Sequence, residues 1–335
     1  MIPAQFMATI ILPTPTPAAA SRLTPPLTQP SSPPATSTPV ISGPLKTKIE
    51  AEFERLVTER RMINPAKNSS LFSLQGFTNP NLNAQQAVLP YIQNEVSHIF
   101  KLPFYYNGSV VFDGAIACQG PRQQEQAEFW QMVWQSGVKA IVMLDYPQDR
   151  TLYWPHAVDK MELRGIQDLP PITITKTAAK TLYRNEDDNE AIMVRHFILT
   201  RPDGTAHEVD HFFIEGWPEH NYETHTGGAI SEETLAKAIN LLTAGAKGRI
   251  LCHCKVGVGR TGAFLASYQS HLQLASGRKD PNLIFDIAFQ GRSQEKGRTG
   301  MIHTLDQYGL IYKTLFFMHP EFMAICEQSL PNKPS

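Results

Sequence analysis

The sequence predicts an α/β fold organised around one strand–loop–helix junction, and three observations carry that prediction. Runs rich in β-branched and aromatic residues fill 171–215, strand-like and helix-like segments alternate over 108–144, and a glycine-rich loop separates a short apolar strand from a helix at 249–276. With 335 residues and 42% hydrophobic content the chain can bury a sizeable core. A formal net charge of -1 gives no reason to expect nucleic acid or an anionic membrane as partner.

Residues 1–44 hold 11 of the 26 prolines, many Ser and Thr, and the single charge Arg22, a composition that cannot offset its own ordering entropy. They are expected to form a disordered tail. A solvated tail, a bacterial secretion signal and a Pro-rich ligand for an adaptor partner all fit that composition. A catalytic domain is expected over 45–328, followed by a short tail at 329–335. Leu45, Ile49, Phe53, Leu56 and Val57 share one helical face. A loop-rich stretch containing Asn64-Pro65 and Asn79-Pro80 follows. Residues 108–118 and 138–144 read as strands, with a helix carrying Phe129, Trp130, Val133 and Trp134 between them. The runs over 171–215 suggest an antiparallel meander that turns at Asp203-Gly204. A helix over about 230–244, the strand RILCHC, and helices near 260–276, 281–291 and 304–317 complete the chain. No apolar run approaches the ~20 residues that span a bilayer, and the prolines and absent basic residues near the start argue against a secretory signal. Four cysteines without a framework of paired spacings fit a reducing, cytoplasmic setting.

The chemistry concentrates in His253-Cys254-Lys255-Val256-Gly257-Val258-Gly259-Arg260-Thr261-Gly262. A loop feeding a helix N-terminus gathers backbone N–H groups into one concavity that suits a tetrahedral dianion. Gly257 and Gly259 permit the tight backbone, and Arg260, six residues after Cys254, supplies a two-pronged fork for phosphate oxygens. Such positive surroundings bring a cysteine pKa to roughly 3.5–7.5, so Cys254 would be a ready nucleophile. The G-K-[ST] ending of a nucleotide loop is absent. Cys252 is expected on the opposite strand face from Cys254, as core. A carboxylic acid must protonate the leaving oxygen, and Glu219 on the Trp217-Pro218 loop, 35 residues before Cys254, is the candidate.

The loop resembles the H-C-x-x-G-x-G-R-[ST]-G signature of the protein tyrosine phosphatase family. Further similar landmarks stand in the family's order: Cys118-Gln119-Gly120-Pro121, Glu128 to Trp134, Tyr153-Trp154-Pro155, Trp217-Pro218-Glu219-His220 and Gly300 to Tyr308. The resemblance covers roughly 46–320. It implies a twisted mixed β-sheet flanked by helices, no cofactor and no metal, and phosphotyrosine-containing protein as substrate. It also implies a closing acid loop hinged at Trp217, Thr261 donating to the departing Cys254 thiolate, and Gln307 positioning water.

Three departures stand out. Glu219 occupies a place where the family has Asp. His303 stands for a second glutamine. Gln85, Gln86 and Ala87 stand where the family has an aromatic ring followed by charged residues, leaving Phe72 or Phe77 to supply a ring. Asp145 or Asp149 is expected to buttress Arg260, and Lys255 adds a cation beside the nucleophile. An inositol-phosphate phosphatase and a phosphotyrosine-binding pseudophosphatase remain open as alternatives, and the tail suggests an effector delivered into a host cytosol.

Overall fold

The computed structural model describes residues 40–145, 152–218, 229–246 and 248–331. The expectations placed on residues 1–39, Asp149, Glu219, His220 and 332–335 lie outside that set. Eight strands form one sheet: β1 (Gly108–Val111), β2 (Ala115–Gln119), β3 (Val138–Met143), β4 (Lys160–Leu163), β5 (Ile172–Asn185), β6 (Glu190–Thr200), β7 (Ala206–Glu215) and β8 (Arg249–Cys254). Their order is β1-β2-β8-β3-β7-β6-β5-β4. The four central strands β2, β8, β3 and β7 run parallel, and antiparallel pairs close both sides. The expected mixed sheet is therefore present, with β8 at the centre of its parallel part.

Helices α1 (Gly43–Glu59), α2 (Leu74–Thr78), α3 (Val96–Ile99), α4 (Gln126–Gln135), α5 (Glu232–Gly245), α6 (Gly259–Ala275), α7 (Leu283–Gln290), α8 (Leu305–Met318) and α9 (Pro320–Gln328) flank the sheet. Two apolar layers result. One takes residues of α1, α5, α6, α7, α8 and α9, and the other packs α4 with Tyr153 and Trp154 against the opposite sheet face. Each fully buried Leu, Ile or Phe in these layers is worth about 1.5–3 kcal/mol of transfer free energy. Among the described residues no helix is long and apolar enough to cross a membrane.

The 171–215 meander is β5, β6 and β7, with Asp203-Gly204 in the predicted turn. Thr205 donates to the Asp203 carboxylate through both N–H and hydroxyl, and Gly204 takes φ +83°. Two expectations change. The 108–118 segment is a hairpin rather than one strand, because Phe112 (φ +49°) and Gly114 (φ +106°) reverse the chain between β1 and β2. Cys252 shares a face with Cys254, both joining the same apolar layer, while Leu251 lies in the other. Side chains two residues apart in a strand point the same way, which the sequence reading had reversed.

Candidate active site

β8 ends at Cys254, at the carboxyl edge of the parallel strands, and α6 begins five residues later. The phosphate loop between them is shaped by what holds its carbonyls. Lys255 O accepts from Gly120 N–H at 3.2 Å, and Val258 O accepts from Ile302 N–H at 3.2 Å. Val256 O accepts from Arg298 Nη2 at 3.1 Å. All described peptide bonds are trans, so a carbonyl pinned outward turns the next residue's N–H the other way. The Gly257 N–H accordingly donates to Cys254 Sγ at 3.4 Å. The loop carbonyls are thus held from Gly120, just past β2, and from the 298–302 segment, and the Gly257 N–H faces Cys254.

Gly257 is required on two counts. It takes φ +80°, and a Cβ there would sit 2.1 Å from the Cys118 carbonyl oxygen. At Gly259 a Cβ would meet the Gln307 side-chain amide at 2.8 Å, so Gln307 packs directly against the start of α6. Gln307 Oε1 accepts from the His303 N–H at 2.8 Å, and Thr304 caps α8 by accepting from the Gln307 N–H. The structure thus brings His303 and Gln307 to one turn beside the loop.

Arg260 is 6% exposed and lies in a bidentate pair with Asp145, Nη1–Oδ1 3.2 Å and Nη2–Oδ2 2.8 Å. Its Nη1 also donates to the Trp217 carbonyl at 3.2 Å. The fork is therefore oriented from Asp145, just past β3, and from Trp217, just past β7. Of the two buttress candidates Asp145 is the one described. Lys255 is half-buried. Thr261 is buried, and among the described residues its hydroxyl makes no hydrogen bond to Cys254. Its electrostatic neighbour is the Cys252 thiol, which burial pushes well above the ordinary range.

His253 turns to the opposite sheet face. Its Nε2 lies 2.7 Å from Tyr153 Oη, which lies 2.7 Å from His211 Nε2 in turn. Burial holds His253 neutral, pushing it down to about 4, and the Arg260 charge adds to that; burial and Arg195 hold His211 well below its usual value. Phe72 and Tyr91 stack on each other at 4.9 Å, both buried, so Phe72 is core and supplies no rim ring. Gln85, Gln86 and Ala87 form an exposed turn. That turn hangs from Asn83, which accepts from Tyr105 Oη and Asn107 Nδ2, and from Gln119, which accepts from Ala84 N–H. Gln119 is the β2 partner of Cys254, so the turn is anchored beside Cys254.

Sequence reasoning missed Arg298 and Arg292. Arg292 donates to the Met301, Ile302 and Arg60 carbonyls, holding Ile302 at φ +60°, an unfavourable setting for a β-branched residue. A separate groove of about 840 Å³ between α1, residues 229–232 and α8 contains none of the phosphate-loop residues.

The protein-tyrosine phosphatase family model matches residues 79–317. Tyrosine-protein phosphatase non-receptor type 7 of Rattus norvegicus is 29% identical over 250 residues, 69% of this chain and 62% of the relative. Receptor-type tyrosine-protein phosphatase R of the same species is 31% identical over 206 residues, 60% of this chain and 28% of the relative. The chain thus spans less than two thirds of either relative. In three dimensions it is similar to Trypanosoma brucei TbPTP1, with TM-score 0.65 and 24% identity over 82% of this chain and 92% of that one. It is equally similar to PTPN18 in a complex with HER2 phosphopeptides, with TM-score 0.66 and 24% identity over 84% of this chain and 96% of that one. The strand–loop–helix junction, the sheet around it and the matched residues together make this chain a member of the protein-tyrosine phosphatase family.

Proposed function

We propose that the chain is a protein tyrosine phosphatase working through a phosphocysteine on Cys254. The observation that carries this reading is the donor cradle: three carbonyls held outward, with the Gly257 N–H directed at Cys254 Sγ. In the first step the Cys254 sulfur attacks phosphorus and the P–O bond to the tyrosine ring breaks. Glu219 delivers its proton to the departing phenolic oxygen. In the second step water attacks phosphorus, Glu219 takes its proton, and the P–S bond breaks to release the thiolate and inorganic phosphate.

The inward backbone of Lys255 to Gly259 and the Arg260 fork bind the phosphoryl oxygens, whose charge is greatest in the transition state. Asp145 and the Trp217 carbonyl aim that fork, and Trp217 is the hinge of the acid loop. Gln307 orients the attacking water, with His303 beside it, and Thr261 meets the departing thiolate once its hydroxyl turns from Cys252. Lys255 adds positive charge at the mouth, and His253 supports the strand end.

Phosphotyrosine-containing protein is the proposed substrate, in keeping with the phosphopeptide complex of PTPN18. The proposed organisation is a tail at 1–44, a catalytic domain at 45–328 and a short tail at 329–335. Four buried free thiols suit a reducing cytoplasm. Delivery as an effector rests on the composition of the tail alone.

Phosphate release from a phosphotyrosine peptide and from inositol phosphates, compared for wild type and Cys254→Ser, tests the reading. Release from the peptide that Cys254→Ser abolishes is expected. Release from inositol phosphates alone would replace the substrate class, and no release from either would leave a binding protein.

A further inference from the structure

Arg298 is fully buried, and among the described residues no carboxylate pairs with it. Its partners are neutral: Asn107 Oδ1 at 2.5 Å, Ser109 Oγ at 3.5 Å and the Val256 carbonyl at 3.1 Å. Among the described residues its Nε has no hydrogen-bond partner. A buried guanidinium without a counter-ion is costly, and folds keep such groups where the charge acts on something. Here the group it reaches is one peptide from the nucleophile. Arg298 holds the Val256 carbonyl, the trans Val256–Gly257 peptide carries that constraint across, and the Gly257 N–H emerges on the far side at 3.4 Å from Cys254 Sγ.

We propose that Arg298 is a positioning residue of the phosphate loop: its unpaired charge polarises and orients the Val256–Gly257 peptide so that its N–H stabilises the Cys254 thiolate. The inference rests on the reading of Cys254 as nucleophile. A cation bound to the carbonyl end draws electron density through the amide, which strengthens its N–H as a donor. Asn107 keeps the cation in place by also donating to Asn83 Oδ1 and the Val88 carbonyl, each at 2.8 Å. Arg298 thereby joins the base of the 85–87 turn to the floor of the site. Burial pushes the Arg298 guanidinium below its usual range, and Tyr105, Cys118 and Cys254 oppose that by favouring its charged form.

Other charged and titratable groups stand around Cys254: Arg260 and Lys255 on its own loop, the adjoining His253, and the Cys252 and Cys118 thiols, which interact with its thiol, with Glu125 acting on Cys118. The experiment therefore varies Arg298 alone and reads Cys254 alone. The rate of iodoacetate alkylation of the Cys254 peptide is followed by mass spectrometry from pH 5 to pH 9, with Cys254→Ser as blank. Circular dichroism and thermal melting certify the fold of each variant. Arg298→Gln keeps a neutral donor and loses the charge, and Arg298→Lys keeps the charge and loses the fork.

Removing a charge that acts at this range moves a titration by about one unit or more. Arg298→Gln is expected to slow alkylation about tenfold at pH 6 while converging with wild type at pH 9. Arg298→Lys is expected to lose about threefold at pH 6. A profile for Arg298→Gln that superimposes on wild type overturns the proposal. Equal losses for both variants at pH 6 and at pH 9 also overturn it, since they describe a structural role only. A wild-type profile half-maximal near pH 8.5, the ordinary thiol value, overturns both the proposal and the nucleophile reading beneath it. Should Arg298→Gln fail to fold, Ser109→Asp leaves Arg298 in place and sets a carboxylate beside it. The same loss at pH 6 is then expected, and its absence overturns the proposal.

Discussion

The floor and the rim of the site are built by opposite means. Lys255, Val256 and Val258 on the floor have their carbonyls held by Gly120 just past β2, by Arg298 and by the segment before α8, so the loop is fixed from three directions. The rim turn of Gln85, Gln86 and Ala87 is exposed and is tied through Asn83 and Ala84 before it and by the Val88 N–H donating to the Gln85 carbonyl at 3.0 Å. A phosphoryl group is the same on every substrate, so a floor gains from preorganisation. A rim meets variable neighbours, and an exposed turn leaves its side chains free to vary without disturbing the floor. Perturbation should therefore be severe below and mild above.

The largest expected effect is at Glu219. Glu219→Gln removes the proposed proton donor and should lower kcat on a phosphotyrosine peptide by about 10²–10⁴-fold, read by steady-state kinetics. Glu219→Asp should hold or raise kcat, and a large drop would show the acid loop to be built for the longer side chain. Next comes Gly257→Ala. Its methyl would enter the space of the Cys118 carbonyl at a positive φ, and a loss of about 3 kcal/mol is expected in urea titration. A loss below about 1 kcal/mol would mean that the floor can yield.

Acid should weaken the floor from beneath. His253 is held neutral in the fold, down at about 4, so the unfolded chain binds the extra proton as pH falls. The stabilisation is complete above the ordinary histidine pKa near 6.5. It is lost progressively as pH drops to 4, by on the order of 3 kcal/mol. His211 shifts in the same direction, so thermal melting should fall steeply between pH 6.5 and pH 4. A flat profile over that interval would contradict the buried, neutral arrangement around Tyr153. The smallest effect is expected on the rim: Gln85→Ala should change stability by less than about 0.5 kcal/mol in the same urea titration. A larger change would make the turn part of the scaffold.

The floor was legible in the sequence because its parts are contiguous. Cys254 to Thr261 lie within one strand–loop–helix unit, where spacing alone dictates geometry. Residues brought from afar left no local signal. Arg298 reaches a carbonyl 42 positions away and Arg292 one 232 positions away, and a buried arginine bound to carbonyls reads in sequence as an ordinary surface cation. Asp145 was visible only as one of two aspartates near the end of a strand. The 108–118 run read as a single strand because Phe112 and Asp113 carry no strong turn signal, and Gly114 was the one cue. The placement of Cys252 went wrong through a misapplied period of two, which the sequence itself could have corrected.

The most direct test of the whole account is the mass of the Cys254 peptide after rapid acid quench of the enzyme turning over a phosphotyrosine peptide. The account predicts one added phosphoryl group on that peptide, absent in Cys254→Ser and accumulating further in Gln307→Ala as hydrolysis slows. Turnover that proceeds with the Cys254 peptide unmodified, or with phosphoryl carried on another residue, would contradict it.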